Sequence, residues 1–224
     1  MATLFTYRIV HDKGFAPNPY WGAMTLATCK PKIRLAAEVG DWIAAMGWKD
    51  TSRGVDLTLK VIFAMRVSEK LTLAEYADRA RTQLKGKIPD MKHADERRHA
   101  GDAIFDFSSG RCIERPSLHS GSTDALRKDR EGKYVLVSDH FYYFGSRPAT
   151  LPYHLQEIAP SGFGRYVRSK MNAPFLDTFE TWIESLGVHA NKVLADPIHA
   201  PRKSGCIICT PESRIVKVKR PICQ

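Results

Sequence analysis

An acid and an imidazole stand side by side at Asp139-His140, where the strand-like run Tyr134 to Ser138 gives way to four aromatics, Phe141-Tyr142-Tyr143-Phe144. Such a pair suits general acid/base work, with Asp41 or Asp102 as a second carboxylate. Neighbours in a strand point to opposite faces, so Asp139 and His140 share a cleft only if the strand ends at Ser138. The same aromatic run suits a pocket in which a nucleobase stacks and polar groups read its edge. The competing reading is a wide core strand whose Asp139 caps a turn.

A second aromatic concentration lies near the start, in Phe15-Ala16-Pro17-Asn18-Pro19-Tyr20-Trp21. The two prolines prevent regular structure, so this loop either plugs the end of a sheet or lines a pocket for a planar ligand. Lys30, Lys32 and Arg34 crowd the start of a short helix predicted over Lys32 to Glu38. Cations there oppose the macrodipole unless an anion is near, which hints at phosphate; a solvated basic surface is the alternative. The expected binding set is therefore Phe15, Trp21, Trp42, Tyr142 or Tyr143 for stacking and Asn18, Asp41 and Asp139 for hydrogen bonds. Lys30, Arg34 and Arg168 would hold phosphate.

Other chemistries find less support. No Ser-His-Asp order, Walker loop or His-x-Glu…Cys-x-x-Cys deaminase pattern is present. Cys206-Ile207-Ile208-Cys209 has the spacing of half a zinc site, with Cys223, His199 or His189 as conceivable completions, but one such pair is weak. No metal and no cofactor are expected. The five cysteines read as reduced thiols, and the scattered His93, His99 and His119 as solvent-facing.

The elements that must position these groups emerge from patterning. Leu57 to Val67 places a large apolar residue at every second position, the mark of a strand with one buried face. Leu4 to Val10, Met24 to Cys29 and Tyr134 to Ser138 add strands, and Arg214 to Lys219 a last one. Thr72-Leu73-Ala74-Glu75 is a capping box opening a helix that Gly86 closes. Leu151-Pro152 begins a short helix. Asn172 to Gly187 is the best helix, with Phe175, Phe179, Trp182, Ile183 and Leu186 on one stripe. Lys85 to Gly132 is a polar connection. The fold class is α+β, a mixed and strongly curved sheet with flanking helices.

Net charge is +10, from 34 basic and 24 acidic residues among 224. That balance favours polyanions, so nucleic acid or nucleotide is the expected partner. No segment approaches the roughly 18 consecutive apolar residues of a membrane span. No signal-peptide pattern precedes the first strand, so the expected address is cytoplasmic.

Several blocks together resemble the second type of nucleotide modification associated domain. They are Gly14-Phe15-Ala16-Pro17-Asn18-Pro19, Thr25 to Arg34, Val39-Gly40-Asp41-Trp42 and Ala64 to Val67, then Gly101-Asp102, Ser138 to Gly145 and Leu151-Pro152. The similarity spans residues 3 to 190, which implies one domain over 1–190 and a C-terminal extension over 191–224. It also implies a setting of DNA base modification, bacterial or phage-related, with modification enzymes as partners. The Gly-Asp-Trp turn, strand, loop, long strand and helix look in addition like the PUA, ASCH and EVE barrels, which implies a PUA-like β-barrel with a base-sized cleft. The resulting expectation is a module that binds a modified nucleobase or nucleotide. The alternative is a transferase- or hydrolase-type enzyme using Asp139 and His140.

Overall fold

A computed structural model describes residues 2–50, 54–160 and 170–200. From the N-terminus the chain forms β1 (Leu4–Arg8), β2 (Met24–Leu26), the short helix α1 (Pro31–Ala36) and β3 (Trp42–Met46). A hairpin of β4 (Lys49–Asp50) and β5 (Val55–Asp56) leads to β6 (Lys60–Arg66), β7 (Glu69–Thr72) and helix α2 (Leu73–Thr82). The charged middle supplies a second hairpin, β8 (Phe105–Asp106) with β9 (Ile113–Glu114), and helix α3 (Thr123–Glu131). Then come β10 (Tyr134–Ser138), β11 (His140–Tyr143), β12 (Ala149–Thr150), helix α4 (Leu176–Ser185) and β13 (Lys192–Val193).

The larger sheet runs β1-β3-β6-β11-β13, with β12 also on β6; the smaller is β2-β10-β7. Pairing is parallel for β1/β3 and β11/β13 and antiparallel for the rest. The sheets are open and do not close into a barrel, so the α+β class holds while the PUA-like barrel does not. The reason sits at Asp139, where the chain leaves the smaller sheet with β10 and re-enters the larger one with β11.

Both faces of β6 are buried. Ile62, Phe63 and Met65 pack between the two sheets with Phe5, Tyr7 and Leu136. Val61 and Ala64 pack on the other face with Trp42, Phe179 and Ile183 of α4. The expected one-faced strand from Leu57 is thus corrected. Opposite the Ala45/Met46 step the register slips by one residue, and such a bulge reverses the side-chain phase. Across the smaller sheet, α2 contributes Tyr76 and Ala80 against Val135 and Val137. The layers run α4, large sheet, small sheet, α2.

The capping box at Thr72 and Glu75 forms as its residues require, though α2 ends at Thr82, short of Gly86. Residues 123–131, expected as connection, are helical: Ser122 Oγ accepts from Ala125 N–H, and Asp124, Arg127, Lys128 and Glu131 pair at helical spacing. The residues ahead of α4 form a 3-10 turn, Lys170–Phe175. The expected strand Arg214 to Lys219 and the Cys206, Cys209 and Cys223 thiols lie outside the described residues. Among those described, no helix is long and apolar enough to cross a membrane.

A buried polar knot fixes the aromatic N-terminal loop. The Lys87 ammonium donates to Asn18 O, Asn18 Oδ1 and Ala23 O at 2.9, 2.9 and 2.7 Å. Asp102 accepts from Thr25 Oγ1 and Tyr76 OH, each at 2.6 Å. Lys87 and Asp102 are both buried, and three acceptors around one ammonium satisfy all its donors.

Candidate functional site

After β2 the chain must turn sharply into α1, and it does so through two residues with positive φ, Cys29 at 57° and Lys30 at 41°. Neither is glycine, and non-glycine residues in the left-handed region persist only where the surroundings hold them. Here both backbone polar groups of Cys29 are held. Its N–H donates to Asp129 Oδ1 at 2.6 Å, and its carbonyl accepts from Arg34 Nη1 at 3.3 Å.

Asp129 sits on the inner face of α3, fully buried. Its second oxygen, Oδ2, lies 2.5 Å from His119 Nδ1. The other ring nitrogen of His119, Nε2, is 3.7 Å from Cys29 Sγ. A serine-rich turn presents the imidazole: Ser117 Oγ accepts from His119 N–H, and Ser122 N–H donates back to His119 O. Phe15 meets the ring edge-on with centroids 4.8 Å apart. Thiol, imidazole and carboxylate thus form a relay in which each ring nitrogen has its own partner.

Burial opposes charge on His119, but the Asp129 carboxylate and the Cys29 sulfur outweigh it and push the imidazole up to about 10. The relay opens onto a cavity of about 470 Å³ whose wall includes Arg8, Lys13, Phe15, Lys30, Leu118 and Lys128. One ligand atom from each of Cys29, His119 and Asp129 lies within 4.8 Å of the others, close enough to raise the question of a cation. A metal on His119 Nε2 would leave Asp129 on the far nitrogen, in a supporting role. Cys29 and His119 then give two ligands among the described residues, short of the three a catalytic zinc keeps. The donor set fits proton relay better than metal binding.

Of the residues singled out from sequence, Phe15 and Lys30 line this cavity. Lys30 Nζ donates to Arg8 O at 3.3 Å and lies 4.2 Å over the Tyr7 ring. Arg34 is fully buried beneath the Cys29 turn, donating from Nε to Tyr134 O at 2.6 Å. Asn18 is absorbed in the Lys87 knot and also donates to Ala100 O. Asp41 accepts from the Thr3 and Glu38 amides. Trp42 packs in the core against Phe179 and His140. Tyr143 is buried and donates to Asp12 Oδ1. Trp21 lies against Gly86 with Arg97 and Arg98 over its ring.

Tyr142 OH lies 3.3 Å from His140 Nε2, while Asp139 stands exposed at the crossover, bonded to Ser68 Oγ. Neither Asp139 nor His140 lines the cavity. Arg168 lies outside the described residues. The structure therefore brings Phe15 and Lys30 together but not Phe15 and Tyr143, and it does not gather the aromatic set around one opening.

By sequence, Cys29 is a reduced thiol, and it is a free cysteine in the fold; His119, read as solvent-facing, and Asp129, read as part of a connection, are corrected, the one half-buried and the other buried on α3. Their separations, 90 and 10 residues, match no local motif. A Cys-Lys-Pro step at a helix start and the Ser-rich turn around His119 are the signals that could have marked them. Family comparison matches the model for nucleotide modification associated domain 2 over residues 1–204. Comparison with curated proteins and with solved structures returns no match.

Proposed function

Since the chain belongs to the nucleotide modification associated domain 2 family, which links it to nucleotide modification, we propose that it is a thiol-dependent enzyme acting on a nucleotide or nucleobase substrate. The observation that carries this is the Cys29–His119–Asp129 relay at the wall of a ligand-sized cavity. His119, raised to about 10, already carries on Nε2 the proton that Cys29 gives up, and Asp129 holds the imidazolium facing the sulfur. Sγ then bonds to an electrophilic carbonyl-type carbon of the substrate, and the bond from that carbon to its leaving group breaks. The leaving group departs with the proton from His119. Water, or an acceptor amine, attacks the resulting thioester and gives a proton back to His119, and the bond from Sγ to the substrate carbon breaks to free the sulfur. A separation of 3.7 Å between sulfur and nitrogen is loose, as expected before a substrate closes the site.

Alkylation with iodoacetamide, mapped residue by residue, tests the relay directly. Cys112 is exposed and outside the site, so it serves as an internal reference. Cys29 reacts faster than Cys112 near neutral pH, and the difference collapses in His119→Ala. Equal rates, or faster reaction at Cys112, would overturn the proposal. Product formation from nucleotide substrates, monitored by mass spectrometry, is lost in Cys29→Ser. A second reading, recognition of a modified base without turnover, draws support from Phe15 and Lys30 in the same cavity; it predicts binding that Cys29→Ser leaves intact and no product from any variant.

A further inference from the structure

The charges around the cavity do not balance. Lys128 pairs with Asp124, and His119 pairs with Asp129. Arg8, Lys13 and Lys30 have no carboxylate within ion-pair reach among the described residues. Arg8 Nη1 faces two carbonyls, Gly47 O at 3.0 Å and Thr58 O at 3.1 Å, which accept hydrogen bonds without cancelling charge. Lys30 Nζ has one acceptor, Arg8 O, so two of its three donors are unfilled. Burial pushes the Lys30 amine down, with the Cys29 sulfur acting against that shift. Lys13 and His11 stand exposed on the rim. Uncompensated cations in a concave, partly desolvated site draw in an anion.

Most of the remaining lining is apolar, with Ile9, Val10, Phe15, Ala16 and Leu118, beside the polar Ser122. About 470 Å³ falls in the range of small-ligand sites, roughly 300–1,000 Å³. A single strand instead needs an extended groove with successive stacking platforms, and the cavity offers Phe15 alone.

We infer that the cavity takes a free nucleoside monophosphate, its phosphate held by Lys30 and Lys13 and its base against the Val10–Phe15–Leu118 wall. The chemistry after binding rests on the thiol reading, whereas binding itself rests on the charge pattern alone.

Titration of Cys29→Ser, which cannot turn over, with deoxynucleoside 5′-monophosphates, the matching nucleosides and a short single strand tests the inference. The monophosphate binds at least about tenfold tighter than its nucleoside, and the gap narrows as salt rises. Lys30→Gln loses about tenfold for the monophosphate and little for the nucleoside, the effect of one charge-assisted contact. Lys13→Gln, on the exposed rim where folding is not at stake, loses several-fold in the same direction. In the native protein the monophosphate also slows alkylation of Cys29.

Equal affinity for nucleoside and monophosphate overturns the inference, as does a strand that binds more tightly than the monophosphate. Unchanged monophosphate binding in both lysine variants does so too. A lost phosphate preference with a fast-reacting Cys29 sinks this inference alone. Retained phosphate preference with an inert Cys29 sinks the thiol reading alone.

Discussion

Arg34→Met removes the buried guanidinium beneath the Cys29 turn, and its consequences can be worked out from the contacts. Arg34 has no exposed surface. It ties three elements: the Cys29 carbonyl before α1, the Tyr134 carbonyl at the start of β10, and α3 through Gly132, which closes on the guanidinium. The bond to Tyr134 O is short at 2.6 Å and the bond to Cys29 O long at 3.3 Å. Hydrogen bonds from a charged group contribute roughly 1.5–3 kcal/mol, so the first counts near the top of that range and the second below it. Burial pushes the Arg34 group down to about 10, with Asp129, Cys29 and Asp102 acting against that shift. Removing the charge therefore returns part of a desolvation penalty.

The net loss for Arg34→Met is about 3 kcal/mol, within the roughly 5–15 kcal/mol that stabilises a folded protein. The variant folds, with a melting temperature lower by about 6–12 °C for a chain of this size. Urea denaturation measures the stability, and peptide-mapped alkylation of Cys29 measures the turn. Cys29 alkylation slows at least severalfold, because the left-handed Cys29–Lys30 turn has lost the hold on its carbonyl. Arg34→Lys falls between, since one ammonium cannot span both carbonyls as the planar fork does. A destabilisation under about 1 kcal/mol with unchanged Cys29 reactivity would refute the claim that this guanidinium supports the site.

Gly132→Ala puts a Cβ 2.5 Å from Arg34 Cζ; displacing the guanidinium costs about 1–3 kcal/mol and slows Cys29 alkylation in parallel, both read by the same two assays. Lys87→Met leaves Asp102 buried without its neighbouring charge and Ala23 O without a donor, and takes one of the donors from each Asn18 oxygen, a loss of roughly 3–5 kcal/mol by chemical denaturation. His119 carries a folded-state value raised to about 10 from 6.5, so the stability it contributes is fully present below about pH 6.5 and is lost as pH rises through about 10. The slope over that window is at most about 1.4 kcal/mol per pH unit; His119→Gln flattens it, and an identical pH profile in the variant would exclude the Asp129 pairing.

Local signals in the chain were sufficient for the elements whose cause is local. Thr72 and Glu75 satisfy each other's neighbouring amides wherever the segment sits, so the capping box was legible. So was Tyr134–Ser138, a short β-rich run between turn residues. Helix α3 was legible in part: it has no apolar stripe, but Ser122 and the Asp124, Arg127 and Lys128 spacing carried a capping and pairing signal. The one-faced reading of β6 failed because α4 covers the second face and a bulge opposite Ala45/Met46 changes the phase, and neither the covering helix nor the partner strand is written in the segment itself.

The aromatic concentrations illustrate the other boundary. Composition marked Trp42, Tyr142 and Tyr143 as binding surfaces, yet apolar area is buried by core and pocket alike, and here the core took all three. What the sequence by itself determined is the α+β class, the family, the basic balance and the capped and alternating segments, because each arises from neighbours along the chain. Tertiary structure alone decided that Cys29, His119 and Asp129 meet. Their contact depends on the folding of α3 and the Ser117–Ser122 turn against the β2–α1 corner, and hydrogen bonds at 2.5–2.6 Å between residues 10 and 100 positions apart leave no periodicity to read.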